Sequence, residues 1–64
     1  MRLTRMQQQI VIKLRNGGKT VTELAIALYG KNTEAARACV YTHILLLRKR
    51  GAAITLEGGV YWMC

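Results

Sequence analysis

The chain has 64 residues, with ten lysines and arginines against three glutamates and no aspartate, which gives a formal net charge of +7. A chain of this length can bury only one small core, so we expect residues 1–64 to form a single domain with no second, site-bearing unit. The positive charge favours an anionic partner, nucleic acid first, over a basic surface that is merely solvated.

Membrane, secretion and metal signals are weak in this sequence. No apolar run approaches the roughly 20 residues that span a bilayer, and the N-terminus lacks the apolar core of a signal peptide. We therefore expect a cytoplasmic protein with no membrane partner. Cys39 and Cys64 lack the spacing of a metal site or of a multi-disulfide scaffold, which predicts two free thiols and no bound metal.

The first helix is predicted from Thr4 to about Arg15. Thr4 and Gln7 form a capping-box pattern, and Asn16-Gly17-Gly18 stops the helix. Its apolar face is expected to contain Met6, Ile10, Val11 and Leu14. Arg2 and Arg5 can form a basic N-terminal arm or simply a solvated chain end.

A second, shorter helix follows at once in VTELAIALYG. Thr20 and Glu23 repeat the capping-box pattern, and Gly30 is suited to the left-handed residue that ends a helix. The buried stripe is predicted to contain Val21, Leu24, Ala25 and Leu28. The segment around Lys19 is a candidate third strand, because a two-stranded ribbon alone is marginally stable.

The third helix, residues 33–50, carries the strongest helix signals. Thr33 is the cap, Glu34 suits the positive end of the helix dipole, and a basic end precedes Gly51. At 100° per residue, one side packs inward with His43 at its edge; its members are Ala36, Val40, Ile44 and Leu47. The opposite side faces outward; its members are Ala38, Tyr41, Thr42, Leu45 and Lys49.

After Gly51 the apolar period changes to two, which predicts a β-hairpin over residues 54–63 that turns at Glu57-Gly58-Gly59. Tyr61 and Trp62 are predicted to pack this hairpin on the helices. The element order predicts a small α+β fold, a three-helix winged helix-turn-helix with a C-terminal hairpin as its wing.

These elements resemble the winged-helix DNA-binding domains of the OmpR/PhoB type, the effector domains of response regulators. The resemblance is carried by Leu3-Thr4, GGKTVTELAIALYG, Val40, His43-Ile44, Leu47-Arg48-Lys49, Ile54-Thr55 and Val60-Tyr61. It implies a third helix in the DNA major groove and a hairpin that reaches toward the minor groove. It also implies that Cys39 and Thr42 face base edges and that His43 and Arg48 touch phosphate. Apolar side chains replace the family's arginines at Ala38, Leu45 and Leu46.

We predict a double-stranded DNA-binding surface on this third helix and the adjoining turns. Its residues are Arg37, Ala38, Tyr41, Thr42, Leu45, Arg48, Lys49, Arg50, Lys31 and Lys19. The cations are expected to contact phosphate. Thr42 is equally compatible with a base contact and with a hydrogen bond to the preceding helical turn.

Other residues have competing interpretations. A lone histidine beside a core stripe, such as His43, favours packing over phosphate contact, and Cys39 is expected to be a small buried residue. Leu45 and Leu46 are compatible with thymine contacts, with a protein contact, or with burial in a rotated helix.

No enzyme is expected, because the three glutamates and one histidine form no acid–base pair, triad or metal set at a sensible spacing. We expect no cofactor and no small-molecule substrate. The function predicted is that of a small transcriptional or recombination regulator, compact like those of phages and mobile elements. The alternative is a protein–protein interaction module, or a homodimer, that docks through the apolar third helix.

Overall fold

The computed structural model of the protein describes residues 3–63 and contains three helices and a three-stranded antiparallel sheet. The elements are α1 (Arg5–Arg15), β1 (Lys19–Thr20), α2 (Val21–Tyr29), α3 (Glu34–Lys49), β2 (Ile54–Glu57) and β3 (Val60–Met63). This small α+β, winged-helix-like arrangement is the predicted fold. Arg2 and Cys64, which entered the predictions above, lie outside the described residues.

Side-chain caps start all three helices where the sequence predicts them. The hydroxyl of Thr4 accepts from the Gln7 amide at 3.2 Å, and the Gln7 side chain accepts from the Thr4 amide at 3.0 Å. Thr20 and Glu23 form the same reciprocal pair at the start of α2. This pair lowers the pKa of Glu23, because its carboxylate accepts the Thr20 backbone amide. Arg5, one of the two arginines of the predicted basic arm or solvated chain end, is the first residue of α1 and is exposed.

Glycines end the second and third helices. Gly30 follows α2 with φ +72°, and Gly51 follows α3 with φ +96°. The amides of Gly51 and Ala52 donate to the carbonyls of Arg48 and Leu47 at 3.0 and 3.1 Å. This is the Schellman pattern, which satisfies carbonyls that a helix end leaves open. The chain therefore leaves α3 in a defined direction toward β2.

One core joins the helices to the sheet. Most of its residues come from the predicted apolar stripes of α1, α2 and α3. Ile54 and Tyr61 are the buried residues that come from the sheet. The buried apolar residues are Ile10, Leu14, Leu24, Ala25, Ala36, Val40, Ile44, Leu47, Ile54 and Tyr61. Gln7 is also buried, with only 2 % of its side chain exposed, because its capping hydrogen bond satisfies its carbonyl at the edge of this core.

The sheet has the order β1-β3-β2, so the predicted third strand at Lys19 is present and β3 is central. Lys19 pairs with Tyr61, and Leu56 pairs with Tyr61 on the other side. Successive side chains of a strand alternate between faces, so burial of Tyr61 turns Trp62 away from the helices. Trp62 is 46 % exposed, and its prediction as a residue that packs on the helices is wrong.

Gly18 explains where the ring of Trp62 lies. A Cβ placed on Gly18 would be 2.7 Å from the indole atoms Cε2 and Cζ2 and from Cγ1 of Val60. The indole therefore covers the backbone just before β1, on the sheet face that points away from the helices. Gly18 is required for this close approach, in addition to the helix-stopping role that the sequence predicts for the glycine pair.

Candidate nucleic-acid interface

The outward face of α3 is exposed as the sequence predicts. We call Ala38, Tyr41, Thr42, Leu45 and Lys49 the outward face, and all five are exposed. Leu45 is 54 % and Leu46 41 % exposed. The interpretation in which a rotated helix buries these two leucines is therefore wrong. Two large apolar side chains instead face the solvent in the middle of the predicted surface.

Two arginines line the edge of the outward face nearest Tyr41, and each is held by the backbone or side chain of a neighbouring segment. Arg37 donates from Nη1 to the side-chain oxygen of Asn32 at 2.6 Å and to its carbonyl at 3.4 Å. Arg48 donates from Nε to the carbonyl of Ile54, the first residue of β2, at 3.0 Å. With the exposed Lys49 at the helix end, these residues form what we call the cationic rim.

Tyr41 connects the outward face to the hairpin. Its ring meets that of Tyr61 edge to face, with 6.5 Å between the ring centroids. Burial raises the pKa of Tyr61 and the neighbouring Tyr41 raises it further, while the Arg48 guanidinium opposes both effects. The Tyr61 hydroxyl therefore stays protonated at neutral pH. Arg48 thus belongs to the junction between α3 and the hairpin.

Leu56 adds an exposed apolar side chain to the hairpin beside this junction. It pairs directly with Tyr61 across the two strands and is exposed. The sequence interpretation did not single it out. The signal was present, because a two-residue Gly58-Gly59 turn fixes the register and places Leu56 opposite Tyr61.

The other predicted cations are not gathered on the outward face. Lys31 is exposed in the turn between α2 and α3. Lys19 lines a surface groove of about 330 Å³ with residues of α1 and α2, namely Lys13, Glu23, Leu24, Ile26 and Ala27. Arg50 lines a different groove, of about 310 Å³, together with Arg15 and Met63. Neither groove is lined by a residue of the cationic rim.

The two residues that the resemblance places at base edges differ in their surroundings. The Thr42 hydroxyl donates to the Ala38 carbonyl at 3.1 Å, which is the hydrogen bond to the preceding turn that the sequence left open. Cys39 is a free thiol and is exposed, so its prediction as a buried residue is wrong. It lies against Tyr29, whose pKa is raised by burial and further by the Cys39 thiol.

Comparison of the chain with protein-family models, with curated proteins and with solved structures finds no match. Among residues 3–63, no helix combines the length and the apolar character that crossing a bilayer requires. The same part of the chain holds no group of three or more histidine, cysteine or acidic residues placed to bind a metal ion.

His43 is half-buried at the edge of the α3 core stripe, and its Nδ1 is buried without a hydrogen-bond partner among the described residues. Burying a polar nitrogen without a partner costs about 1–3 kcal/mol. We predict that His43→Leu raises the melting temperature by several degrees in a circular-dichroism melt, because the apolar side chain removes this cost.

His43→Asn is the control for this prediction, because asparagine retains a polar group at the same place and should bring no gain. A lower melting temperature for His43→Leu would contradict the unpaired-nitrogen explanation. The variant also tests the phosphate contact that the resemblance implies, since a packing role leaves the affinity for any anionic partner unchanged.

Proposed function

We propose that the protein binds double-stranded DNA, with α3 in the major groove and the β2–β3 hairpin as a wing beside the sugar-phosphate backbone. The observation that carries this proposal is the exposed outward face of α3, bordered by the cationic rim. An α-helix fits the width of the major groove, and cations on its edge can neutralise phosphates on the groove wall. The formal charge of +7 strengthens the attraction.

The arginines of the rim support phosphate contact by their geometry. The hydrogen bond from Arg48 to Ile54 and that from Arg37 to Asn32 hold the side chains in place. An arginine positioned in this way loses less conformational entropy when it binds a phosphate, so more of the interaction energy appears as affinity. Each guanidinium also has N–H donors beyond those already engaged.

The resemblance to OmpR/PhoB-type effector domains belongs to the same proposal, as does a role in the cytoplasm as a small transcriptional or recombination regulator of a mobile element. It supports the assignment of α3 to the groove and of the hairpin to the wing. The outward face departs from that pattern, because Ala38 and Leu45 offer no hydrogen-bonding side chain. Phosphate contacts would therefore supply most of the affinity.

Fluorescence anisotropy with labelled duplexes of about 20 base pairs tests this proposal. We predict binding at low salt, with log Kobs falling against log salt with a slope of about −3, since each neutralised phosphate contributes roughly −0.9. The rim supplies three such contacts. Absence of binding to both random and genomic duplexes at micromolar protein and low salt would refute the proposal.

A protein-interaction module is the second candidate, and a specific observation favours it. Tyr41, Leu45 and Leu46 of α3 and Leu56 of the hairpin are large apolar residues, each 41–54 % exposed. Exposed apolar side chains of this kind can mark a protein contact. Docking through these side chains, to a partner or to a second copy, would be nearly insensitive to salt, whereas duplex binding weakens steeply as salt rises. The salt series therefore separates the two candidates.

A further inference from the structure

We propose that the outward face of α3 selects duplexes by the C5-methyl groups that line the major groove, those of thymine in unmodified DNA. This inference rests on the proposed function and specifies which chemical feature of the bases the helix contacts. It follows from the chemical groups that the outward face exposes and from the donors that already make hydrogen bonds within the protein.

The middle of the outward face presents mainly hydrocarbon, because its polar members Tyr41 and Lys49 lie beside the hairpin and in the last turn of α3. Ala38 and Leu45 lack polar side-chain atoms, and Leu45 is the most exposed large apolar residue of the described chain. Thr42 has a hydroxyl, but its hydrogen is donated to the Ala38 carbonyl at 3.1 Å. Its proton is therefore engaged and is not offered to the guanine O6 and N7 acceptors.

The guanidinium groups lie at the edge of this face, where their local bonds hold them. Specific contact with guanine most often uses an arginine or lysine that donates two hydrogen bonds to O6 and N7. Arg37 is bonded to Asn32 at the start of α3, and Arg48 is bonded to Ile54 at its end. Lys49, the lysine of the outward face, is the last residue of α3. These positions near the helix ends suit phosphates on the groove walls better than bases on its floor.

The remaining base feature that a hydrocarbon surface can select is a methyl group. Thymine carries one at C5 in the major groove, whereas adenine, guanine and unmodified cytosine carry none there. Contact between Leu45 or Ala38 and such methyls removes apolar surface of both molecules from water. The cationic rim meanwhile supplies charge complementarity to the backbone, which makes duplex DNA the occupant of this otherwise uncovered helix face.

Four alternating duplexes of equal length test the inference without knowledge of a target sequence. They are poly(dA-dT), poly(dA-dU), poly(dG-dC) and poly(dG-5-methyl-dC), which vary the base pair and the C5-methyl independently. We expect the methylated member of each pair to bind more tightly, by about fourfold for each methyl in contact with the protein. Anisotropy titrations at one fixed salt concentration measure these ratios.

Leu45→Ala should reduce the methyl dependence while leaving the salt slope unchanged. Ile12→Ala is the matched control, since Ile12 of α1 is 51 % exposed but lies on another helix. It should leave both quantities unchanged. Both variants should keep their fold, because the replaced side chains are outside the core.

Each outcome has a distinct meaning. Equal, salt-dependent affinity for all four duplexes would overturn the methyl inference and leave the DNA-binding proposal intact. A preference for A·T and A·U pairs alike would also overturn it, since this pattern indicates minor-groove or shape readout. Absence of binding to any duplex would refute both proposals, and salt-insensitive self-association through Leu45 would point to the interaction module.

Discussion

Gly18→Ala is expected to destabilise the fold by about 1–3 kcal/mol, because the new methyl group must displace the indole of Trp62 and the Val60 side chain. The new Cβ would lie 2.7 Å from two indole atoms of Trp62 and from Cγ1 of Val60, closer than non-bonded carbon atoms approach. Gly18 has no positive φ, so the cost is steric and does not come from the backbone conformation. A domain of this size should lose roughly 5–20 °C in melting temperature.

Two further variants show whether Trp62 is the cause. In a Trp62→Ala background, Gly18→Ala should cost clearly less, because the ring that it meets has been removed. Gly30→Ala is the control: its Cβ would meet nothing within 4 Å, and its φ of +72° makes the cost a backbone effect of about 1–2 kcal/mol. That cost should be the same with or without Trp62. If the cost of Gly18→Ala, like that of Gly30→Ala, is the same with and without Trp62, the packing explanation is contradicted.

The parts of the fold that depend on local chemistry could be predicted from the sequence. Capping hydroxyls, apolar periodicity and C-terminal glycines act over a few residues, so the helix bounds and the buried stripe of α3 follow from them. The presence of a third strand at Lys19 could also be predicted, because a hairpin alone is marginally stable and Lys19 lies beside a capped helix start.

The errors concern the face of the sheet and the flanks of the helices. The sequence predicts that both Tyr61 and Trp62 pack on the helices, but neighbouring residues of a strand face opposite sides of the sheet, so only one of them can do so. Trp62 points away from the helices because Tyr61, and not Trp62, meets Tyr41 and the core. Cys39 lies at the flank of α3 and contacts Tyr29, yet it is exposed. At a flank, helical periodicity alone does not show whether a side chain is fully buried or only touches a neighbour. The exposure of Trp62 and that of Cys39 both depend on how the neighbouring helices and strands pack against α3 and β3.

In the candidate interface, too, some features could be predicted from the sequence and others could not. Exposure of Leu45 and Lys49 followed from the helical period, whereas the grooves that Lys19 and Arg50 line depend on how the elements pack against one another. The bond from Arg48 to Ile54 depends on where the chain re-enters the sheet after Gly51. Of the predicted cations, Arg37, Arg48 and Lys49 therefore form the rim, whereas Lys19 and Arg50 line two grooves that include no rim residue.

Arg48→Gln combined with Lys49→Gln is expected to lower affinity for duplex DNA about 50-fold near 0.1 M salt, since each phosphate contact contributes roughly 0.9 in log Kobs per decade of salt. The slope of log Kobs against log salt should fall from about −3 to about −1, equally for all sequences. Anisotropy titrations between 50 and 200 mM salt measure both quantities. The two changes together reduce the formal charge from +7 to +5.

Arg5→Gln combined with Arg15→Gln is the matched control, because it makes the same change in charge on α1, away from the outward face. It should weaken binding only slightly. Because Arg48 also bonds to Ile54, Lys49→Gln alone serves as a second variant that removes one rim cation and no hydrogen bond to β2. Lys49→Gln should change the slope of log Kobs against log salt by about half as much as the double variant does. If the α1 pair weakens binding as much as the rim pair, binding depends on net charge and not on α3, and the proposed interface is wrong.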